Sequence, residues 1–250
     1  MCENIEKIHV CDNIDNTSTV ELNSFIGQKK FIDVLRVSAA AAKMRNEPLG
    51  HILLIGPIGS GKSTLANAIA NEMNANIKVI SFNAISKESE LAAILTNVAE
   101  GDIILAENLD SLRNSCTDLL VSALDSLGFD FIIGKGPAAR NIRLPLPGFT
   151  FIATMDRNCP ISEKLKSCFF MKWQMEDYSI EELFELSKVH ASKMNVDITD
   201  EAAKILVSKF NGSQRQLINV LKRTRDFALI KGNGVIDACI INDVISLIEL

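Results

Sequence analysis

The stretch His51-Ile52-Leu53-Leu54-Ile55-Gly56-Pro57-Ile58-Gly59-Ser60-Gly61-Lys62-Ser63-Thr64 decides the fold. Its first part is a compact apolar run ending at a glycine, the pattern of a strand covered on both faces of a parallel sheet. Its second part fits G-x-x-x-x-G-K-[ST], and a helix is expected from about Lys62 to Met73. Strand, glycine-rich loop and helix start, in that order, make a phosphate cradle. Gly56, Gly59 and Gly61 let backbone N–H groups wrap the phosphates, the helix N-terminus adds its positive end, Lys62 bridges the β- and γ-phosphates, and Ser63 offers a hydroxyl to Mg²⁺. A glycine-rich turn would also fit the pattern, but the flanking strand and helix favour nucleotide binding at Gly56–Thr64.

Outward from this loop, apolar runs alternate with helical spacing. Strands are expected at Ile77 to Phe82, Ile103 to Ala106 and Phe149 to Met155, with helices around Phe31 to Ala42, Glu88 to Val98 and Ser111 to Leu127. That alternation predicts an α/β fold built on a parallel sheet. Phe129 to Ile133 and Asn141 to Leu144, joined through Gly134-Lys135-Gly136-Pro137, read as a β-hairpin. Beyond Tyr178 strand signals stop, and amphipathic stretches near 179–194, 198–210, 213–231 and 237–249 predict a small all-helical domain. The expected organisation is a polar leader over 1–21, a nucleotide-binding α/β domain over 22–178 and a helical lid over 179–250.

A phosphate loop alone leaves kinases, GTPases, transporters and motor ATPases open. The second carboxylate site narrows them. Ile103-Ile104-Leu105-Ala106 runs into Glu107-Asn108, where a hydrolase needs a Mg²⁺-orienting acid and then a water-activating Glu. In one frame Glu107 takes the metal and Asn108 the place of the base, and an amide cannot accept the proton of water. In the frame one residue earlier Glu107 is the base and Ala106 leaves the metal without its carboxylate. Either way the catalytic pair is incomplete.

Composition sets outer limits. The chain has 250 residues with 26 Lys+Arg against 31 Asp+Glu, a net charge of −5, and 47% hydrophobic residues, values of a globular protein with no overall attraction for phosphate backbones. No apolar run approaches the roughly 18 residues that span a bilayer, and a cytoplasmic location is expected. Six cysteines, at 2, 11, 116, 159, 168 and 239, show no zinc-ligand spacing; Cys2 and Cys11 are expected exposed and the others mostly in the core.

From about Phe25 to the C-terminus the sequence resembles the RuvB family, the AAA+ motors of Holliday-junction branch migration. The resemblance rests on Gly50-His51 through the phosphate loop to Asn67, Ala70 to Met73, Leu91 to Asn97 and, above all, Ile133-Gly134-Lys135-Gly136-Pro137-Ala138-Ala139-Arg140. It implies a P-loop AAA+ core with a helical lid, and ATP and Mg²⁺ as cofactors. Its register puts Glu107-Asn108 at the family's Asp-Glu, with Ser63 and Glu107 at the metal and hydrolysis impaired. It puts Asp156 at the γ-phosphate sensor position. Lys166 falls in the arginine-finger run, here Leu165-Lys166-Ser167-Cys168-Phe169. Arg215 matches the sensor arginine of the small domain, Tyr178 a position beside the base, and Ile26-Gly27 backbone contacts to adenine, although Ser18-Thr19 replaces the Arg-Pro pair usual upstream.

The hairpin near 129–146, through Ile132, Ile133, Gly134, Pro137 and Ile142, is implied to touch a RuvA-like junction-binding partner, with a homo-oligomeric ring as the assembly. The family continues into a winged-helix domain that grips DNA. With the chain stopping at Leu250, and Lys222, Arg223 and Arg225 read as a solvated face, DNA contact is expected to be weak or indirect. Two functions follow as expectations. One is a RuvB-like ATPase of recombination and repair with poor hydrolysis; the other is a degenerate subunit in which bound nucleotide gates assembly without turnover.

Overall fold

The computed structural model describes residues 20–133, 140–210 and 213–248. Packing divides them into two units. The first takes the chain up to Phe25, Lys30–Gly56 and Lys62–Met175; the second takes Ile26–Lys29, Pro57–Gly61 and the chain from Glu176 onward.

In the first unit the order is α1 (Lys29–Arg45), β1 (Ile52–Ile55), α2 (Lys62–Met73), β2 (Ile77–Ser81), α3 (Glu88–Thr96), β3 (Ile103–Glu107), α4 (Asn114–Ser126), β4 (Gly128–Ile133), β5 (Arg140–Pro145), β6 (Thr150–Met155), α5 (Glu163–Ser167) and β7 (Met171–Gln174). Five strands form one sheet in the order β2-β3-β6-β1-β7, and every pairing in it is parallel. Their side chains sort by alternation. Leu53, Ile104, Ala106, Phe151 and Ala153 enter a core with α3 and α4, while Ile52, Leu54, Ile103, Leu105 and Ile152 enter a second core with α1 and α2. Both faces are therefore covered, which is why these strands read as unbroken apolar runs. β6 lies between β1 and β3, so the loop after β1, the end of β3 and the residue after β6 share one edge of the sheet, where ligands bind in open α/β folds.

β4 and β5 make a separate antiparallel pair, with Phe131 opposite Ile142 and Ile132 opposite Asn141. Gly134 and Pro137, two of the residues implied in partner contact, lie outside the described residues, as do residues 1–19 of the leader, Ser18-Thr19 among them. Several sequence expectations need correction. β7 is a short edge strand that was not foreseen, and its alternating exposure reflects pairing with β1 alone. The helix after β3 starts at Asn114, because Leu109–Ser111 forms a separate 3₁₀ turn. Cys239 is exposed rather than in the core, and Cys159 and Cys168 are half-buried.

The second unit holds α6 (Ile180–Lys193), β8 (Asp197–Ile198), α7 (Asp200–Lys209), α8 (Gln214–Lys231), β9 (Val235–Ile236) and α9 (Ala238–Ile248). Its core gathers Leu183, Leu186, Leu206, Leu217, Leu221, Ile236 and Ile241. Ser179, Thr199 and Ser213 cap α6, α7 and α8 by accepting from backbone N–H groups. The expectation of no strand here is corrected by β8 and β9, a two-residue parallel pair too short to leave a sequence pattern. No helix of the described residues is long and apolar enough to cross a membrane.

His51 ties three elements of the first unit together. Phe151 N–H donates to its Nδ1 at 3.0 Å, its Nε2 lies 3.1 Å from the Leu124 carbonyl, and its ring packs on Phe149. These bonds require the neutral ring with the proton on Nε2, and burial holds its pKa below the ordinary 6.5, partly opposed by the Leu124 bond. The stabilisation is complete above the unfolded pKa and is lost as pH falls below it. Thermal unfolding should show a midpoint that drops between pH 7.5 and 5.5, and His51→Gln should flatten that slope while lowering the midpoint at pH 7.5.

Candidate nucleotide-binding site

The loop Gly56–Thr64 leaves β1 and enters α2. Gly59 and Gly61 sit at φ +82° and +91°, a left-handed backbone that glycine reaches without the clash of a Cβ. Gly56 N–H donates to the Met155 carbonyl at 3.1 Å, which anchors the loop's start to β6. The Lys62 ammonium lies across the loop, donating to the Gly56 carbonyl at 2.7 Å. Thr64 is exposed on the first turn of α2.

In the first unit the Ser63 hydroxyl donates to Glu107 Oε1 at 2.6 Å. A hydroxyl from the loop and a carboxylate from the end of β3 thus meet, two hard oxygen donors of the kind Mg²⁺ takes alongside water and phosphate. Asn108 follows at φ 57°, ψ 55° and starts the 3₁₀ turn. Asn is among the few non-glycine residues that visit this region readily, whereas a Glu in the same backbone is strained by about 1 kcal/mol. Asp156 directly follows β6, and its Oδ1 accepts from Arg157 N–H at 2.6 Å. Burial, with Asp110 and Asp156 adding, pushes the nearby Cys159 thiol up. Lys166 lies in α5, half-exposed, with its ammonium 3.4 Å from Glu163; the Cys168 thiol donates to the Lys164 carbonyl.

The second unit gathers the remaining predicted residues around the crest of the loop. Gly59 approaches the start of α8 so closely that a Cβ there would lie 2.9 Å from Arg215 Cβ and 3.0 Å from Ser213 Oγ. Gly59→Ala therefore combines a forced left-handed backbone, about 1–2 kcal/mol, with a steric conflict, and should lower both nucleotide affinity and the melting midpoint. The Ser60 hydroxyl is buried without a hydrogen-bond partner. Tyr178 is partly buried, donates to the Ser60 carbonyl, and packs over Gly27, where a Cβ would be 2.8 Å from its ring. Burial, with Glu182 adding, pushes its phenol up to about 12. Ile26 packs against the lid core beside it.

Sequence reading missed Gln28. Its amide donates to the Glu176 carbonyl at 2.8 Å and accepts from Glu176 N–H at 3.0 Å, strapping the segment after Gly27 to the start of the lid chain. Nothing in its neighbours signals this, since the partner lies 148 positions away.

Within the first unit the Ser63–Glu107 oxygen pair suits a divalent cation, and within the second the partnerless buried Ser60 hydroxyl, between glycines at positive φ, suits a phosphate oxygen. The family model for the Holliday junction DNA helicase RuvB P-loop domain matches residues 18–175. The chain belongs to the RuvB family. The model for the RuvB AAA lid domain matches residues 178–250. The RuvB subunit of the Holliday junction branch migration complex from Kosmotoga olearia is 40% identical over 229 residues, covering 92% of this chain and 67% of that protein. Its counterpart from Helicobacter pylori is 40% identical over 216 residues, covering 86% of this chain and 64% of that protein. The chain therefore spans about two thirds of the length of these curated relatives. The solved RuvB motor of Thermotoga maritima superposes with a TM-score of 0.79 at 32% identity, covering 92% of this chain and 72% of that one. ATP and Mg²⁺ are the cofactors of a RuvB-family P-loop.

Proposed function

We propose that this chain is the ATP-binding and lid portion of a RuvB-like protein of Holliday junction branch migration, with its hydrolytic step impaired. The observation that carries the reading is the Ser63–Glu107 pair at 2.6 Å with Asn108, not a carboxylate, next in the chain. Bound Mg²⁺ would neutralise phosphate charge and help to align the triphosphate. Ser63 and Glu107 would hold it, and Glu107 reaches one methylene further than the family's Asp. Gly56, Pro57, Gly59, Ser60, Gly61 and Thr64 shape the loop, and Lys62 supplies a charge to the phosphates. Tyr178, Ile26 and Gly27 would border the base, and Arg215 would face the phosphates.

The hydrolytic side is weaker at each position. Asn108 can orient a water but cannot take its proton. Asp156 puts negative charge where phosphate would stand. Lys166 keeps a charge without the planar fork of arginine and is engaged by Glu163, while Cys168 carries no charge. These losses also favour a second reading, a nucleotide-gated regulatory subunit that assembles on ATP without turning it over.

The β4–β5 hairpin is the proposed contact for a RuvA-like partner, with Ile142 42% exposed on it and Ile132 and Ile133 on the opposing strand. A homo-oligomeric ring, indirect contact with DNA and a cytoplasmic location complete the proposal. The test is a calorimetric titration with ATP·Mg²⁺, then turnover with and without a RuvA-like protein and junction DNA. Tight binding with turnover well below about 1 s⁻¹ is expected. Turnover at or above that rate refutes the impairment, and absent binding refutes the site.

A further inference from the structure

We propose that Gln214 and Tyr178 form a hydrogen-bonded clamp on the Ser60 carbonyl that aims the Gly61 N–H into the phosphate loop, which makes Gln214 a positioning residue for nucleotide. The proposal rests on the nucleotide-binding reading and adds a residue that the phosphate-loop pattern does not contain. All the groups of the clamp belong to the second unit.

The Tyr178 hydroxyl lies 3.3 Å from the Ser60 carbonyl and 3.3 Å from the Gln214 side-chain amide. A phenol carries one proton and cannot serve two acceptors at full strength. Turning the Gln214 amide over exchanges its oxygen for its NH₂ without moving other atoms. The three groups then make one chain, in which Gln214 N–H donates to the Tyr178 oxygen and Tyr178 O–H donates to the Ser60 carbonyl. The phenol is a durable donor, because burial keeps it protonated throughout the neutral range.

The grip on this carbonyl has a directional consequence. In a planar trans peptide the C=O of Ser60 and the N–H of Gly61 point in opposite directions. A carbonyl held by Tyr178 therefore turns the next N–H the opposite way, and the clamp takes that direction to be the one from which phosphate is met. Gly61 tolerates the peptide orientation at φ +91°. Both ends of the clamp are fixed. The Tyr178 ring packs over Gly27, and Gln214 is the first residue of α8, set by the Ser213 cap and by the close approach of Gly59 to Ser213 and Arg215.

The test uses the full chain with Tyr178→Phe, Gln214→Leu, the double variant and Gln214→Glu. ADP affinity is measured by calorimetry, and inorganic tripolyphosphate is used as competitor against a fluorescent ADP. Each single variant should weaken ADP and tripolyphosphate alike by about three- to tenfold, the effect of one hydrogen bond, with cooperative melting retained. The double variant should be no worse than Tyr178→Phe. Gln214→Glu, which can only accept, should draw the phenolic proton away from Ser60 and behave like Gln214→Leu. Full affinity in Tyr178→Phe and Gln214→Leu, additive losses in the double variant, or losses for ADP with tripolyphosphate unaffected would each overturn the clamp. Lys62→Ala separates the two readings: if it loses ADP while the clamp variants keep it, only the clamp fails; if the wild type binds no ADP, both fail.

Discussion

Asn108→Glu combined with Lys166→Arg is expected to raise ATP turnover by about 10²–10⁴-fold, the contribution typical of a positioned general base. The expectation rests on the proposed site. Glu107 accepts from the Ser63 hydroxyl at 2.6 Å, the pair proposed to hold the cation, and Asn108 directly follows Glu107 at the end of β3. Glu at 108 would supply the missing proton acceptor. Arg at 166 restores the planar fork, although Glu163 competes for it. The gain has a cost in stability. Residue 108 holds a left-handed backbone, and exchanging Asn for Glu there should lower unfolding free energy by about 1 kcal/mol. Steady-state phosphate release and a denaturant melt on the same samples read both effects. A double variant that stays at a low starting rate shows that these positions do not carry the chemistry.

Lys62→Ala is expected to weaken ATP binding by on the order of 10²-fold, from the loss of charge-assisted contacts worth about 1.5–3 kcal/mol each. The Lys62 ammonium lies across the loop on the Gly56 carbonyl. The fold should survive, because Lys62 stands at the start of α2 and the buried contacts of that helix come from Leu65, Ala66 and Ile69. Unaltered affinity by calorimetry, with far-UV circular dichroism unchanged, would refute the phosphate role of this lysine.

Much of the first unit was legible because burial on both sheet faces writes itself into sequence as apolar runs. β1, β2, β3 and β6 emerge within a residue or two of their expected limits, and the phosphate loop falls between β1 and α2. The lid helices were legible for a different reason, since each has one buried stripe and α6, α7 and α8 begin at a Ser or Thr cap. β7 escaped because an edge strand of four residues, two of them exposed, carries too little pattern. Gln28 escaped because the hydrogen bonds that strap it go to the backbone of Glu176, and backbone partners leave no trace in side-chain spacing.

The candidate site divides along the same line. Local sequence determined the glycines at positive φ, the lysine and serine after them, and the Glu107-Asn108 pair, because each depends on residue type within a few positions. Only the tertiary structure decided that Ser63 touches Glu107, 44 positions away, since the strand order sets β6 between β1 and β3 and so fixes the reach. It alone decided that Pro57–Gly61 packs with the helical unit, through Gly59 against Ser213 and Arg215 and Ser60 against Tyr178. The reason is physical: the absence of a side chain at Gly59 is a property of the sequence, but what comes to fill the space it leaves is settled by packing at long range.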